Sequence, residues 1–190
     1  MTLELRPLSA EDMETVRHWR HESMETLRTP YMLTKEQQQD YYRNVICDRR
    51  GTTRYWGLHD LDIVTFREML GDPEKGKVRT QFGNSLIGYG GIENIEWENR
   101  HGEISIIIAP EYRGKGYGAE GVQLFLQEAF DALNLHAVHG ECYYSHDGPA
   151  FWKHLVEKYR GWGTDLPHRK FWKGAYWPCY WFIFYKENWP

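Results

Sequence analysis

The sequence predicts a single mixed α/β domain, and three observations carry that expectation. Apolar residues recur at a spacing of two in some segments and of three to four in others, and the two kinds of segment alternate along the chain. A glycine-rich turn, Arg113-Gly114-Lys115-Gly116-Tyr117-Gly118, joins a β-branched apolar run to the most strongly periodic helix. The length, 190 residues with 41% hydrophobic and 26% charged side chains, suits one hydrophobic core.

Leu3 and Leu5 alternate with polar neighbours as a short first strand. Ser9 then opens a helix, with Asp12 at the capping-box position, Leu8 set to staple onto Met13, and Met13, Val16 and Trp19 or Arg20 on one face running on toward Met24 and Leu27. Thr34 with Gln37 starts a second helix whose stripe is Tyr41, Tyr42, Val45 and Ile46 and which is expected to end near Arg49. Residues 53–59 read as a strand. Residues 60–84 read as an inserted stretch, with a helical turn through Phe66 and Leu70 and then a mobile polar loop at 71–77.

Residues 85–95 and 103–108 read as central strands joined by a turn at 98–100. Gly88, Gly90 and Gly91 weaken the first of these unless something approaches its backbone closely. After the glycine turn, Val122, Phe125, Leu126, Ala129, Phe130 and Leu133 give the clearest helical stripe. Residues 135–144 form the next strand. Pro149 suits the start of a helix with Trp152, Leu155, Val156 and Tyr159 buried and Asp147 as its cap. Residues 169–172 and 175–185 read as two strands around Lys173-Gly174, Pro178 marking an edge or a bulge.

Composition excludes several classes. A formal charge of −4 offers no basic surplus for a phosphate backbone, so general nucleic-acid binding is not expected. There is no apolar run of about 18 residues and no signal-peptide core at the N-terminus, so no membrane partner is expected and the protein is expected in the cytoplasm. Cys47, Cys142 and Cys179 are scattered, odd in number and without zinc-type spacing, and are read as buried thiols. His136 and His139 lie three apart in a strand and so on opposite faces, and no metal is expected.

The chemistry concentrates in the glycine turn. Glycine lets a backbone come close to a ligand, and the free N–H groups at a helix start suit an anionic phosphate, with Arg113 and Lys115 adding charge. A nucleoside-triphosphate loop needs Ser or Thr after its Gly-Lys, and Lys115 is followed by Gly116. A dinucleotide turn needs another glycine spacing and follows the first strand rather than the fourth. Neither pattern fits.

Arg113 to Gly118, with Leu86-Ile87-Gly88-Tyr89-Gly90-Gly91-Ile92, Asn99-Arg100-His101-Gly102-Glu103-Ile104-Ser105-Ile106 and Glu128-Ala129-Phe130-Asp131-Ala132-Leu133-Asn134-Leu135, resembles the Gcn5-related N-acetyltransferase (GNAT) superfamily, in the branch of the ribosomal-protein-alanine N-acetyltransferases. The resemblance implies one GNAT domain over residues 1–190, a mixed, mostly antiparallel sheet of six to seven strands with helices on both faces, and a V-shaped splay between strands 4 and 5. It implies an enzyme that uses acetyl-CoA as co-substrate and acetylates a primary amine, a protein N-terminus or a small molecule, by direct attack in a ternary complex. The pantetheine arm would pair with the main chain of Ile106 and Ile108, and the N–H groups of Arg113, Gly114, Lys115, Gly116, Tyr117 and Gly118 would hold the pyrophosphate. Homodimerisation stays open.

The amine must lose a proton and the leaving thiolate must be met by an acid. Glu103 is ranked first as base, Glu93 second. Relatives carry an Asn after the fifth strand and a Tyr seven residues later; Ser145 and Trp152 stand there instead. Ser145 is therefore the candidate for the thiolate side, with Tyr143 or Tyr144 as substitutes. The tail aromatics Trp172, Tyr176, Trp177, Tyr180, Trp181 and Tyr185 either pack the last two strands or wall the acceptor site with the 60–84 insertion. The missing acid also leaves an alternative, a non-catalytic acyl-CoA-binding or partner-binding module.

Overall fold

The computed structural model describes residues 2–28, 30–62 and 86–190. The expected helical turn and mobile loop of the 60–84 insertion fall, apart from residues 60–62, outside the described residues.

The chain runs β1 (Leu3–Pro7), α1 (Asp12–Glu22), α2 (Lys35–Tyr41), β2 (Arg54–Asp60), β3 (Leu86–Glu96), β4 (His101–Ile108), α3 (Tyr117–Gln127), β5 (Ala137–Tyr143), α4 (Gly148–Lys158), β6 (Trp162–Trp172) and β7 (Ala175–Tyr185). All seven strands join one sheet in the order β1-β2-β3-β4-β5-β7-β6. Every neighbouring pair is antiparallel except β4 and β5.

The capping signals act locally as expected. Ser9 and Asp12 bond reciprocally ahead of α1, and Thr34 and Gln37 close a complete capping box on α2. Met13, Val16 and Trp19 of α1 pack with Leu8, Leu86, Tyr89 and Ile107 on one face of the sheet. On the other face, Val122, Phe125, Leu126 and the π-helical turn Glu128–Ala132 that extends α3 pack with Trp152 and Leu155 of α4. Gly90 answers a close approach: a Cβ there would lie 2.1 Å from the Ser105 carbonyl oxygen across the β3–β4 pair.

Four expectations are corrected. The second helix ends in a π-helical turn at Ile46, and its buried residue is Gln38 rather than the Tyr41–Ile46 stripe. Cys47, just after that turn, is exposed, whereas Cys142 and Cys179 are buried. β6 starts at Trp162, well before residue 169, because the interior strand β7 holds it by a register that skips between Leu166 and Lys170. Pro178 lies opposite that skip, so β7 needs no ladder donor there. Asp147 stands at the start of α4 without a capping bond; His146 Nδ1 accepts from the Gly148 N–H instead.

Candidate active site

β4 and β5 pair at three positions only, His101 with Ala137, Gly102 with Val138 and Glu103 with His139. Beyond Glu103, β4 stays on β3 as far as Ile108, while β5 stays on β7 as far as Tyr143. The facing edges therefore part into a wedge with its apex at Glu103 and His139. Ile106 and Ile108 lie along one side of it, their side chains against the α3 core.

At the wide end the chain leaves Ile108, makes a single turn at Pro110–Tyr112 and enters the glycine loop. Gly114 and Gly116 hold φ of 72° and 91°, a left-handed conformation that costs any other L-residue about 1 kcal/mol or more. Those angles aim the loop into the N-terminus of α3. Among the described residues, the N–H groups of 114–118 have no acceptor, which together with the helix dipole makes a cradle for an anionic group. Arg113 reaches back from the loop, its Nε donating to the Ile108 carbonyl at 2.9 Å and Nη2 to Ser23 Oγ at 2.7 Å. Lys115 lies over the Tyr112 ring, and Tyr117 donates to Asp60, a bond that with partial burial pushes its hydroxyl up to about 12.

The apex opens into a cavity of about 400 Å³ lined by Arg28, Glu103, His139, Glu141, Arg169 and Trp181, with Gly140 and Tyr143. Here lies what sequence reasoning missed. Arg28, on the loop after α1, bridges Glu103 and Glu141, and Glu141 also accepts from Arg169 at 3.1 Å and Tyr143 at 2.6 Å. Burial opposes the Glu141 charge, but Tyr143, Arg169 and Arg28 outweigh it and hold the carboxyl below its usual range. The available signal was polar residues at alternate positions, His139 and Glu141, in an otherwise apolar interior strand.

The two carboxylates proposed as bases meet as register partners across β3 and β4. Glu103 is buried with both oxygens engaged, one by Arg28 and the other by Asn94 at 2.9 Å. Glu93 accepts from Tyr55 at 2.6 Å on one oxygen. Burial, aided by the charge of Glu103, raises the Glu93 carboxyl above its ordinary value against that hydrogen bond and the pull of Arg28 and Arg20.

Ser145 donates to the Glu25 carbonyl at 2.9 Å and so spends its proton on the loop that carries Arg28. Trp152 is stacked on Phe182 with ring centroids 4.4 Å apart, inside the core. Tyr143 lines the cavity and Tyr144 turns to Asp165. Of the tail aromatics, Trp181 lines the cavity, Tyr180 is core, and Tyr176 is exposed at the hairpin end.

The sheet is thus parted between its fourth and fifth strands, with a glycine turn and a helix N-terminus at the mouth of the gap. The family model described as Acetyltransferase (GNAT) domain matches residues 2–148, and the chain belongs to that family. It is similar to spermidine N(1)-acetyltransferase of Vibrio cholerae serotype O1, 28% identical over 98 residues, a stretch that takes in 48% of this chain and 57% of that enzyme. Among solved structures, spermidine N-acetyltransferase from Vibrio cholerae in complex with CoA and spermine shares the fold with a TM-score of 0.77 at 22% identity, over 98% of this chain and 96% of the other. Mutant forms of the spermidine/spermine N-acetyltransferase SpeG from the same organism give 0.75 at 22% identity, over 98% and 95%.

Proposed function

We propose that the protein is an N-acetyltransferase that moves the acetyl group of acetyl-CoA to a primary amine by direct attack. The observation that carries this reading is the wedge between β4 and β5, which runs from the uncapped N–H groups of 114–118 down to a cavity lined by Glu103 and His139. The loop residues Arg113 to Gly118 hold the pyrophosphate, and the main chain at Ile106 and Ile108 faces the pantetheine arm. Arg113 must exchange its present acceptors, Ser23 Oγ and the Ile108 carbonyl, for phosphate oxygens. We further read the chain as one domain with 60–84 as an insertion, since all seven strands share one sheet.

The amine enters through the cavity and its nitrogen forms a bond to the thioester carbon as the carbon–sulfur bond breaks. Glu93, through water, takes the amine proton: one of its oxygens has no partner among the described residues, while both oxygens of Glu103 are engaged. The CoA thiolate leaves near Tyr143 and takes its proton from water, because burial first and the Glu141 bond second keep the Tyr143 proton on the phenol and directed at Glu141. An acyl-enzyme is disfavoured because burial pushes the thiols of Cys142 and Cys179 up to about 12 and about 11, leaving no thiolate to attack.

The test is release of free CoA thiol with a panel of amines, spermidine first because the relatives named above act on it. Release that depends on the amine is expected. A raised Tm with acetyl-CoA but no release with any amine would make the chain a non-catalytic acyl-CoA-binding module instead.

A further inference from the structure

We propose that the acceptor is an amino acid, an amine that also carries a carboxylate, and that Arg28 and Arg169 bind that carboxylate. This rests on the N-acetyltransferase reading and departs from the polyamines on which the relatives act.

The charges of the cavity are layered. The carboxylates are at the back, Glu103 and Glu141 having side chains only 10% and 7% exposed, and the guanidiniums are in front, Arg28 and Arg169 being 51% and 50% exposed. A ligand entering from solvent meets positive charge first. Every oxygen of these carboxylates already has a partner: Glu141 accepts from Arg28, Arg169 and Tyr143, and Glu103 from Arg28 and Asn94. An incoming ammonium would find only acceptors already shared with the two arginines, and would meet their charge on the way. An incoming carboxylate breaks nothing, because each guanidinium carries five donors in a planar fork and the bonds to Glu103 and Glu141 leave part of each fork open.

The arrangement behind the arginines fixes their direction. Arg28 comes from the loop after α1 and Arg169 from β6, and Glu141, on β5 between them, holds both. That loop is itself pinned, since the Glu25 carbonyl accepts from Ser145 Oγ and from Lys170 Nζ, and Lys170 is buried over the Tyr143 ring. The remaining wall is uncharged: His139, whose burial lowers its basicity, stacks on Trp181 at 5.9 Å. The cavity thus offers a fixed anion-binding front beside the wedge apex, within a volume of about 400 Å³ that suits a small molecule.

The experiment uses acceptor pairs that differ only by the carboxylate, lysine against 1,5-diaminopentane and ornithine against 1,4-diaminobutane, with acetyl-CoA and the full chain. Each amino acid is expected to exceed its diamine in kcat/KM by about tenfold or more, the worth of a charge-assisted hydrogen bond. Arg169→Gln should raise KM for the amino acids by a similar factor while leaving KM for acetyl-CoA unchanged, and Arg169→Lys should recover part of the loss. Diamines used as well as the amino acids, or an amino-acid KM unchanged in Arg169→Gln, would overturn the proposal. Should no amine release thiol, the N-acetyltransferase reading fails by itself, and calorimetric titration of lysine still reads the site. Binding to the wild type that is lost in Arg169→Gln supports the proposal, and no binding to the wild type overturns it.

Discussion

Glu93 and Glu103 are one strand apart and chemically unlike, because one carboxylate is committed to a guanidinium and an amide while the other answers to a single phenol. If Glu93 is the base, Glu93→Gln should lower kcat by about 10²- to 10⁴-fold. Its raised pKa also sets a sign: the ionised form grows as pH rises above the ordinary carboxylate range, so wild-type kcat should climb there and the Glu93→Gln rate should stay flat. Stability runs the other way. A carboxyl raised on folding contributes most below its unfolded value, near pH 4.3, and loses that contribution as pH rises. Glu93→Gln should therefore keep or gain Tm at pH 7, which separates a lost base from a lost fold. A rate within twofold of wild type would remove Glu93 from the reaction.

At the scale of the element, the glycine loop couples backbone conformation to ligand charge, and the two can be separated at Gly116. Asn tolerates the left-handed conformation about as well as any side chain, and Asp adds a negative charge in nearly the same shape. Gly116→Asn should keep most of the Tm rise given by acetyl-CoA, and Gly116→Asp should lose it; equal rises in both variants would place the pyrophosphate elsewhere. This loop was legible from sequence because its signals lie within a few residues of each other, as were the Thr34–Gln37 box and the Val122–Phe130 stripe. The first half of β6 was not. Its run from Trp162 to His168 mixes polar residues with Pro167 and becomes a strand because β7 holds it, not through a pattern of its own. The cavity was illegible for a related reason: Arg28 meets Glu103 and Glu141 across 75 and 113 residues, and only the folded sheet brings them together.

At the scale of the molecule, Glu141 joins the loop after α1 to β5 and β6, so its charge bears on stability as well as on the cavity. Its pKa is depressed on folding, and the stability it contributes is present above the unfolded carboxylate value and is lost as pH falls. Glu141→Gln should cost about 2 kcal/mol near pH 7, with two guanidiniums left short of an acceptor. Thermal melts should show that gap closing as pH falls below the ordinary carboxylate range; a gap that does not vary with pH would mean that shape, not charge, is what Glu141 supplies.

The sheet order carries a consequence for the path of folding. β1 to β4 pair in chain order, each with the strand before it, but β5 is left with an open edge until β7, the last strand, comes to lie between it and β6. Arg169 and Trp181 come from those two strands, so the cavity at the apex of the wedge cannot close until they have paired. Long-range pairing of this kind is slow, and an unpaired apolar edge invites the wrong neighbour. The side of the cavity formed by β6 and β7 is thus the part of the sheet that a newly made chain supplies last and that is most prone to mispair.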